Sequence, residues 1–462
     1  MNYSAENIQL WNVIIQFGVI AFLVVISNII RLKVPFVKKT LMPTSVLAGF
    51  LLLGFKYTNI IRIDTTLLDT LTYHGIALGF IALSLRVTKK DGSTGGARTA
   101  VHSGALIVST YMIQGVLGLI VSIVLGYVFI PDFFKASGLL LPMGFGQGPG
   151  QANNIGSSYE MLGFVGGKSY ALAIAATGFL VACIVGVIYL NVQARRGKIV
   201  RQDATELSGS VTVDHFQDKD EMPISQSIDR LSIQAALIIL VYAFTFFVIW
   251  GITSLLERFA PGVAASISPL FWGFNFIFGS LFAVLTKVIL SKFRKAKIMQ
   301  MQYQNNYLLS RISGLFFDVM IICGIASIDF EDLRGLWIPF VLTCVIGCIG
   351  TFVHIKFFSH RIYKSYEEEG FLAMFGMLTG TISSGILLVR EIDPDFKTPA
   401  ANNLVTGSGV AIALGAPMLI LVGMAPKSTT MLFVALALLI AYYFVLCGIM
   451  LIKKGKAAEH QS

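Results

Sequence analysis

Charged side chains are scarce in this chain. Asp, Glu, Lys and Arg make up 13% of its 462 residues, about half the share found in soluble domains. Apolar residues make up 55%, and the mean hydropathy is +0.76. Long apolar runs recur along the whole sequence, which excludes an ordinary soluble fold. We therefore predict an all-α polytopic membrane protein.

Histidine and cysteine are also rare. The six histidines are scattered, with neither the spacing of a metal site nor a Ser/His/Asp arrangement, so no enzyme and no cofactor are expected. All cysteines lie inside apolar segments, which is typical of small core residues; they are Cys183, Cys323, Cys344, Cys348 and Cys447. No basic region precedes the first apolar run, so we predict a retained membrane helix rather than a signal peptide.

The net charge of +10 comes from short Lys and Arg clusters between apolar runs, as in the loops of membrane proteins. Nucleic-acid binding is therefore not expected. Every second predicted loop carries a basic cluster, whereas the loop at 329–332 is acidic. The positive-inside rule then predicts a multi-pass protein of the cell membrane, with its N-terminus outside and its C-terminus in the cytoplasm.

The apolar runs predict eleven spans. In residues 1–194 they lie near 8–30, 41–57, 71–85, 104–130 and 169–194. In residues 231–424 they lie near 231–256, 268–290, 307–327, 336–356 and 400–424. We predict a cytoplasmic linker at 195–230, between the two halves. The C-terminal segment, 425–462, adds a last span near 431–452.

A sparse pattern occurs once in each half. Residues 168–186 align without a gap with 397–415, and they share Lys, Ala, Thr-Gly, Val-Ala and Gly at matching positions. In each half the pattern follows a polar interruption, which we interpret as a re-entrant helical hairpin, at 136–160 and 370–390. Hairpins that enter and leave on one side give each half five crossings. Because five is odd, the second half must be inverted relative to the first.

The first interruption holds five glycines between residues 144 and 156, and two prolines, so a continuous helix is not expected. Freed backbone groups at membrane depth are tolerated where they line a cavity, and there they can bind carboxylates or Na⁺. Predicted substrate contacts are Gln147, Gly148, Gly150, Gln151, Asn153 and Asn154. The alternative is a kinked helix whose glycines serve packing. Asn402 and Asn403 are added as substrate contacts, with interhelical hydrogen bonding as the alternative.

Hydroxyl groups are the candidate ligands of a coupling cation. The predicted set combines the second hairpin with two equivalent repeat positions: Thr177, Thr379, Thr381, Ser383, Ser384 and Thr406. These hydroxyls could instead bond to carbonyls of their own helices. Asp318, an acid inside the eighth span, is added as a cation-coupling residue, and a salt bridge to Arg311 is its alternative.

The run Gly144-Phe-Gly-Gln-Gly-Pro-Gly-Gln-Ala152, its counterpart at 375–384 and the following Val389-Arg-Glu-Ile resemble the hairpin motifs of the bacterial sodium/glutamate symporter family. The resemblance covers roughly residues 8–425. It implies two inverted repeats, each of five transmembrane helices and one hairpin, with the last helix of this chain as an extra element. It also implies a homodimer that takes up glutamate with Na⁺ by an elevator mechanism.

The chain departs from that family in both hairpins. Gln147 and Pro149 stand where the family usually has His-Gly-Thr, and the second hairpin lacks a Thr-Pro-Thr element. The linker and the extra helix also differ. A proton-coupled carrier or exchanger of di- or hydroxycarboxylates therefore stays open as an alternative to the symport of glutamate or a related carboxylated solute.

Overall fold

The computed structural model describes residues 4, 7–58, 63–87, 94–199, 228–299, 301–393 and 397–451, and these form sixteen α-helices without a strand. The first seven are α1 (Ile8–Lys33), α2 (Pro35–Lys39), α3 (Thr44–Tyr57), α4 (Thr65–Leu85), α5 (Thr94–Val124), α6 (Pro149–Met161) and α7 (Gly167–Arg195). Most of the predicted linker, 195–230, and the C-terminal tail lie outside the described residues.

The other nine helices follow the linker. They are α8 (Ile228–Phe259), α9 (Pro261–Gly273), α10 (Asn275–Lys295), α11 (Asn306–Ala326), α12 (Trp337–Ile362), α13 (Glu367–Thr379), α14 (Ile382–Arg390), α15 (Ala400–Met424) and α16 (Thr429–Leu451). Ten helices of the described chain are long and apolar enough to cross a membrane. The prediction of an all-helical, multi-pass membrane protein is therefore confirmed.

Two predicted spans differ from the structure. The span at 41–57 is the 14-residue α3, which covers about 21 Å of a hydrocarbon core that is about 30 Å thick. Leu41 has a φ of 54° and Pro43 precedes the helix, so a turn occupies the start of this run. The span at 268–290 is interrupted at Phe274, between α9 and α10.

The helices pack as two groups. The flanking group contains α1–α4 and α8–α11, and its centre is the crossing of α4 and α11. Gly79 and Gly75 of α4 lie against Phe317 and Met320 of α11, which lets the two backbones approach closely. The same contact occurs in both directions around this crossing: α4, the third span of the first half, packs on α10, the second span of the second half. In turn α11 packs on α3.

The hairpin group contains α5–α7 and α12–α16. Its first hairpin has an irregular arm, a 3-10 helix at Lys135–Leu139 and a π-helix at Pro142–Gly146, which returns as α6. The ring centroids of Phe134 and Tyr159 lie 5.3 Å apart at its base. The second hairpin consists of α13 and α14, and a Cβ at Gly376 would lie 2.7 Å from the Gly385 Cα. Both breaks fall inside the predicted interruptions.

Candidate functional site

The tips of the two hairpins meet inside the hairpin group. Gly148, at the first tip, has a φ of 83°, and a Cβ on it would lie 3.9 Å from the Gly380 carbonyl oxygen of the second tip. Gly178 of α7, which follows Thr177 in the repeated pattern, contacts the Thr379 carbonyl group. Two broken helices and one repeat helix therefore converge on one point.

A cavity of about 140 Å³ lies beside these tips, between the two helix groups. Its polar lining comes from Tyr111, Gln147, Thr381, Ser383 and Ser408. Its apolar lining includes one phenylalanine from each of three flanking helices, Phe80, Phe276 and Phe317. No charged side chain occurs among the described residues that line it. The cavity is therefore shaped for a small solute and supplies neutral polar contacts.

The helices that return from the tips begin without side-chain caps. α6 starts at Pro149 and α14 at Ile382, and no side chain accepts a hydrogen bond from the first turn of either helix. The first N–H groups of a helix have no partner within it and carry the positive end of its dipole. Both uncapped N-termini lie next to the cavity, where they favour an anion.

The amides of the first hairpin are buried, and several of their atoms have no protein partner. Gln151 is 0% exposed, and neither its Nε2 nor its Oε1 atom is hydrogen-bonded. Asn154 donates from Nδ2 to the Gly273 carbonyl oxygen (2.8 Å), while its Oδ1 atom and that of Asn153 are without partners. Because buried polar atoms are normally paired, these atoms mark places for a ligand or water.

Gly150, a predicted substrate contact, faces the flanking group instead. A Cβ there would lie 2.6 Å from the Met320 Sδ atom and 2.7 Å from the Ile76 Cβ atom. Gly146 is similarly close to the Tyr111 ring. For these glycines the packing alternative describes the structure better, since the missing Cβ lets the hairpin fit against its neighbours.

The predicted cation ligands separate into two sets. Ser383 and Thr381 line the cavity, and the Thr381 Oγ1 atom has no partner. Ser384 is 3% exposed and its hydroxyl is also without a partner. Three other hydroxyls are engaged elsewhere. Thr379 donates to the Phe375 carbonyl oxygen, Thr406 donates to that of Asn402, and the Thr177 hydroxyl lies beside the Cys344 thiol.

Asn402 and Asn403 are not brought to the cavity. Asn402 is exposed, and Asn403 donates from Nδ2 to the Tyr366 hydroxyl at 2.8 Å. The interhelical alternative therefore describes Asn403. The predicted set also missed Gln114 of α5, whose Nε2 atom donates to Thr351 Oγ1 (2.9 Å) and to the Leu378 carbonyl oxygen (3.0 Å). The sequence feature that could have revealed Gln114 is its position as a polar residue inside the long apolar run of α5.

Asp318 lies on the exposed face of α11, beside Ser45 of α3, and the adjacent Phe317 lines the cavity. The Arg311 guanidinium lies 5.0 Å from the centre of the Tyr307 ring. Within the described chain no ion pair joins Arg311 to Asp318, so the salt-bridge alternative is not realised.

An acid accepts the backbone N–H of the matching lysine of the repeat after each hairpin, although the two acids do not occupy matching positions. The Glu160 carboxylate accepts the N–H of Lys168 (3.0 Å), and the Asp393 carboxylate accepts the N–H of Lys397 (2.8 Å). Burial raises the pKa of Glu160. Burial also acts to raise the pKa of Asp393, but hydrogen bonds from Thr398 and Lys397 outweigh it and hold that pKa below the ordinary value.

Among the described residues, one ion pair crosses between the helix groups. The Nζ atom of Lys168 lies 2.9 Å from Oδ2 of Asp69, at the start of α4, and both side chains are partly exposed. Next to it, Ser169 donates to the Asp332 carboxylate, in the loop that joins α11 to α12. These contacts hold one end of α7 to the flanking group.

No protein-family model matches this chain, and no curated protein gives a significant match.

Proposed function

We propose that this protein is a secondary active transporter that moves a small carboxylated solute across the cell membrane together with Na⁺. Glutamate is the solute that the family resemblance implies. The observation that carries the proposal is the cavity between two helix groups, lined by the tips of two broken helices. In transporters with repeated halves, such interrupted helices form the binding site.

The donors at the cavity suit both proposed cargoes. The uncapped N-termini of α6 and α14, with the Gln147 amide, would bind the carboxylate. The hydroxyls of Thr381, Ser383 and Ser384, with carbonyl oxygens freed at the second tip, are the oxygen ligands that Na⁺ prefers. Transport is favoured over catalysis because the described lining holds no acid, base or thiol.

An inverted repeat with an elevator motion is the architecture we propose for this carrier. Two observations support the repeat. α4 packs on α10 as α11 packs on α3, and the N–H groups of the matching Lys168 and Lys397 each donate to a nearby carboxylate. The hairpin group would then slide against the flanking group and carry the cavity across the membrane. A homodimer, with the N-terminus outside and the C-terminus in the cytoplasm, completes this proposal.

Uptake by reconstituted protein tests the function. Proteoliposomes should accumulate at least one labelled small carboxylate when a Na⁺ gradient points inwards, and accumulation should collapse when the gradient is dissipated. Glutamate, aspartate, dicarboxylates and monocarboxylates form the test panel. No accumulation of any of them would overturn the proposal.

The second candidate is a proton-coupled carrier or exchanger, and Asp318 favours it, because this acid lies in a span without an ion-pair partner in the described chain. Uptake that follows a pH gradient, ignores Na⁺ and is lost in Asp318→Asn would establish proton coupling. Uptake that follows Na⁺ and survives this substitution would exclude it.

The inverted topology has its own test. Single cysteines in place of Lys295, at the end of α10, and Glu331, between α11 and α12, are treated with an impermeant thiol reagent in intact cells. We expect labelling at position 331 and none at position 295, because the charge pattern places these loops on opposite sides. External labelling at position 295 would contradict the inverted repeat.

A further inference from the structure

We infer that the transported solute carries one carboxylate on a small apolar body and has no second charged group. Given the proposed transport function, on which this inference rests, it favours a monocarboxylate over glutamate or a dicarboxylate. Three features of the cavity lead to it: the absence of charged side chains among its described lining residues, the two uncapped helix N-termini, and the aromatic wall.

The lining offers no counter-charge for a second ionised group. Side chains of Phe80, Phe276, Phe317 and Met320 form the wall on the flanking side. The polar groups of the opposite wall are amide and hydroxyl groups, and its other described side chains are apolar. Burying a charge without a partner is strongly unfavourable. Glutamate brings two carboxylates and an ammonium group, and a site for it would need fixed charges such as a bidentate arginine.

The two helix N-termini alone, without the proposed Na⁺, provide a positive potential that matches one negative charge. A helix N-terminus acts like about half an elementary charge, so α6 and α14 together supply about one. Each first turn also holds a buried, unpartnered polar side chain, namely Gln151 (0% exposed) in α6 and Ser384 (3% exposed) in α14. The Ser384 Oγ atom lies 2.9 Å from the Cβ position of Gly380, so this hydroxyl lies at the tip itself.

The volume limits the body of the solute. A cavity of about 140 Å³ is far below the roughly 300–1,000 Å³ of sites for drug-sized ligands. A short, branched aliphatic chain would fill it and contact the phenylalanine rings. The predicted ligand class is therefore a branched-chain monocarboxylic acid of a few carbons.

Competition for uptake tests this inference on the unmodified protein. Proteoliposomes with an inward Na⁺ gradient are given labelled isovalerate, and unlabelled glutamate, succinate and neutral isovaleramide are added as competitors. We expect isovalerate to accumulate, and the other three to compete only at concentrations about a hundredfold higher, because each lacks the single charge or adds unpaired ones. Competition by glutamate or succinate within tenfold of unlabelled isovalerate would overturn the inference.

The outcomes separate this inference from the proposed function. Uptake of glutamate without uptake of isovalerate would overturn the monocarboxylate assignment and leave a carboxylate transporter. Absence of uptake for every carboxylate would overturn the proposed function, and the assignment with it.

A matched pair of variants tests the effect of a positive charge in the cavity wall. Ile412 of α15 lines the cavity and is partly exposed. Ile412→Lys should lower the succinate concentration needed for competition by about tenfold relative to Ile412→Gln, because only lysine provides a counter-charge. Equal competition in the two folded variants would contradict the inference. If Ile412→Lys does not assemble, Ile277→Lys with Ile277→Gln repeats the test from the flanking wall.

Discussion

The two hairpins reach the same point by different constructions. The first has a 3-10 and π-helical arm and fits its glycines against residues of other helices, such as Met320 for Gly150. The second has two regular helices joined through Gly380 and Thr381, and Gly376 and Gly385 bring its own arms together. The shape of the first hairpin therefore depends on contacts with other helices, whereas that of the second depends on contacts between its own two arms.

The donor groups differ in the same way. Amides dominate the first hairpin, and Gln151, Asn153 and Asn154 leave buried atoms without protein partners. Hydroxyls dominate the second, where Thr381 and Ser384 have free oxygens. If both hairpins serve one carrier, changes to the first should affect transport at the boundary between the helix groups. Changes to the second should affect ion dependence or the assembly of the hairpin.

The largest effect is expected for Gly150→Val. Its side chain would press against Met320 and Ile76 of the flanking group, so the hairpin group could not slide along this boundary. We expect uptake to be abolished while insertion and expression stay near normal. Gly409→Val, at an open position on α15, is the control and should transport normally. Near-normal uptake by Gly150→Val would show that this boundary does not move.

The same substitution in the second hairpin sharpens the contrast. A Cβ at Gly385 would meet the Ala373 carbonyl oxygen of the partner arm, so Gly385→Val should reduce the amount of assembled protein. The amount of assembled Gly148→Val should be intermediate. The space around Gly148 is open, but a φ of 83° strains the backbone of any other residue by about 1–3 kcal/mol. Equal expression of Gly385→Val and Gly150→Val would remove the distinction between the hairpins.

A smaller effect is expected for Thr381→Val. The Thr381 hydroxyl is free at the cavity, whereas those of Thr379 and Thr406 donate to carbonyls of their own helices. The loss of one hydroxyl ligand should weaken Na⁺ binding by about 1 kcal/mol, which raises the Na⁺ concentration for half-maximal uptake by about fivefold. Thr406→Val is the matched control and should leave Na⁺ dependence unchanged, as should Thr379→Val. Unaltered Na⁺ dependence in Thr381→Val would exclude this hydroxyl from the ion site.

The ion pair between Lys168 and Asp69 distinguishes the two halves. The fifth residue of α4 is Asp69, whereas the fifth residue of α11 is Ser310. A partly exposed pair is worth less than about 1 kcal/mol, so Lys168→Met or Asp69→Asn should change the maximal uptake rate by about two- to fivefold. The double variant should match the singles, since one interaction is lost in all three. Additive changes would mean that the pair does not couple the groups.

Much of the fold could be predicted because hydropathy and helix breakers act locally. Glycines and prolines located the first interruption, and Gln147, Thr381 and Ser383 do line the cavity. The direction of a side chain depends on helix packing, which a repeat pattern does not reveal. Thr406 matches Thr177 in sequence, yet it donates to its own helix, and Gly150 packs against Met320 and Ile76 without itself lining the cavity.

Other features had no sequence signal strong enough to find them. The shortness of α3 depends on the turn at Leu41, inside a run that is still apolar. The break at Phe274 has only Gly273 beside it, and it is stabilised by distant donors, since Tyr73 and Asn154 bond the last carbonyl oxygens of α9. Long-range hydrogen bonds of this kind become visible only in the folded chain.

The last effects are on stability and concern the two junction acids, whose pKa values shift in opposite directions. The pKa of Asp393 is lowered in the fold, so its contribution to stability is present above its unfolded pKa, about 3.9, and is lost as the pH falls through the lower folded value. The pKa of Glu160 is raised, so its ionised form is disfavoured in the fold, and stability gains as the pH falls through that raised value.

These signs predict different results for the two neutral variants. Asp393→Asn should lower the free energy of unfolding at pH 7 by about 1 kcal/mol, because asparagine has one acceptor oxygen for the three donors of Lys397 and Thr398. Glu160→Gln should stay within about 0.5 kcal/mol of the parent, because this partly exposed group loses only a disfavoured charge and keeps an acceptor for Lys168. Thermal unfolding in detergent at pH 7 and pH 4 measures both. The deficit of Asp393→Asn should shrink at the lower pH, and equal losses in the two variants would show that the caps act alike in both halves.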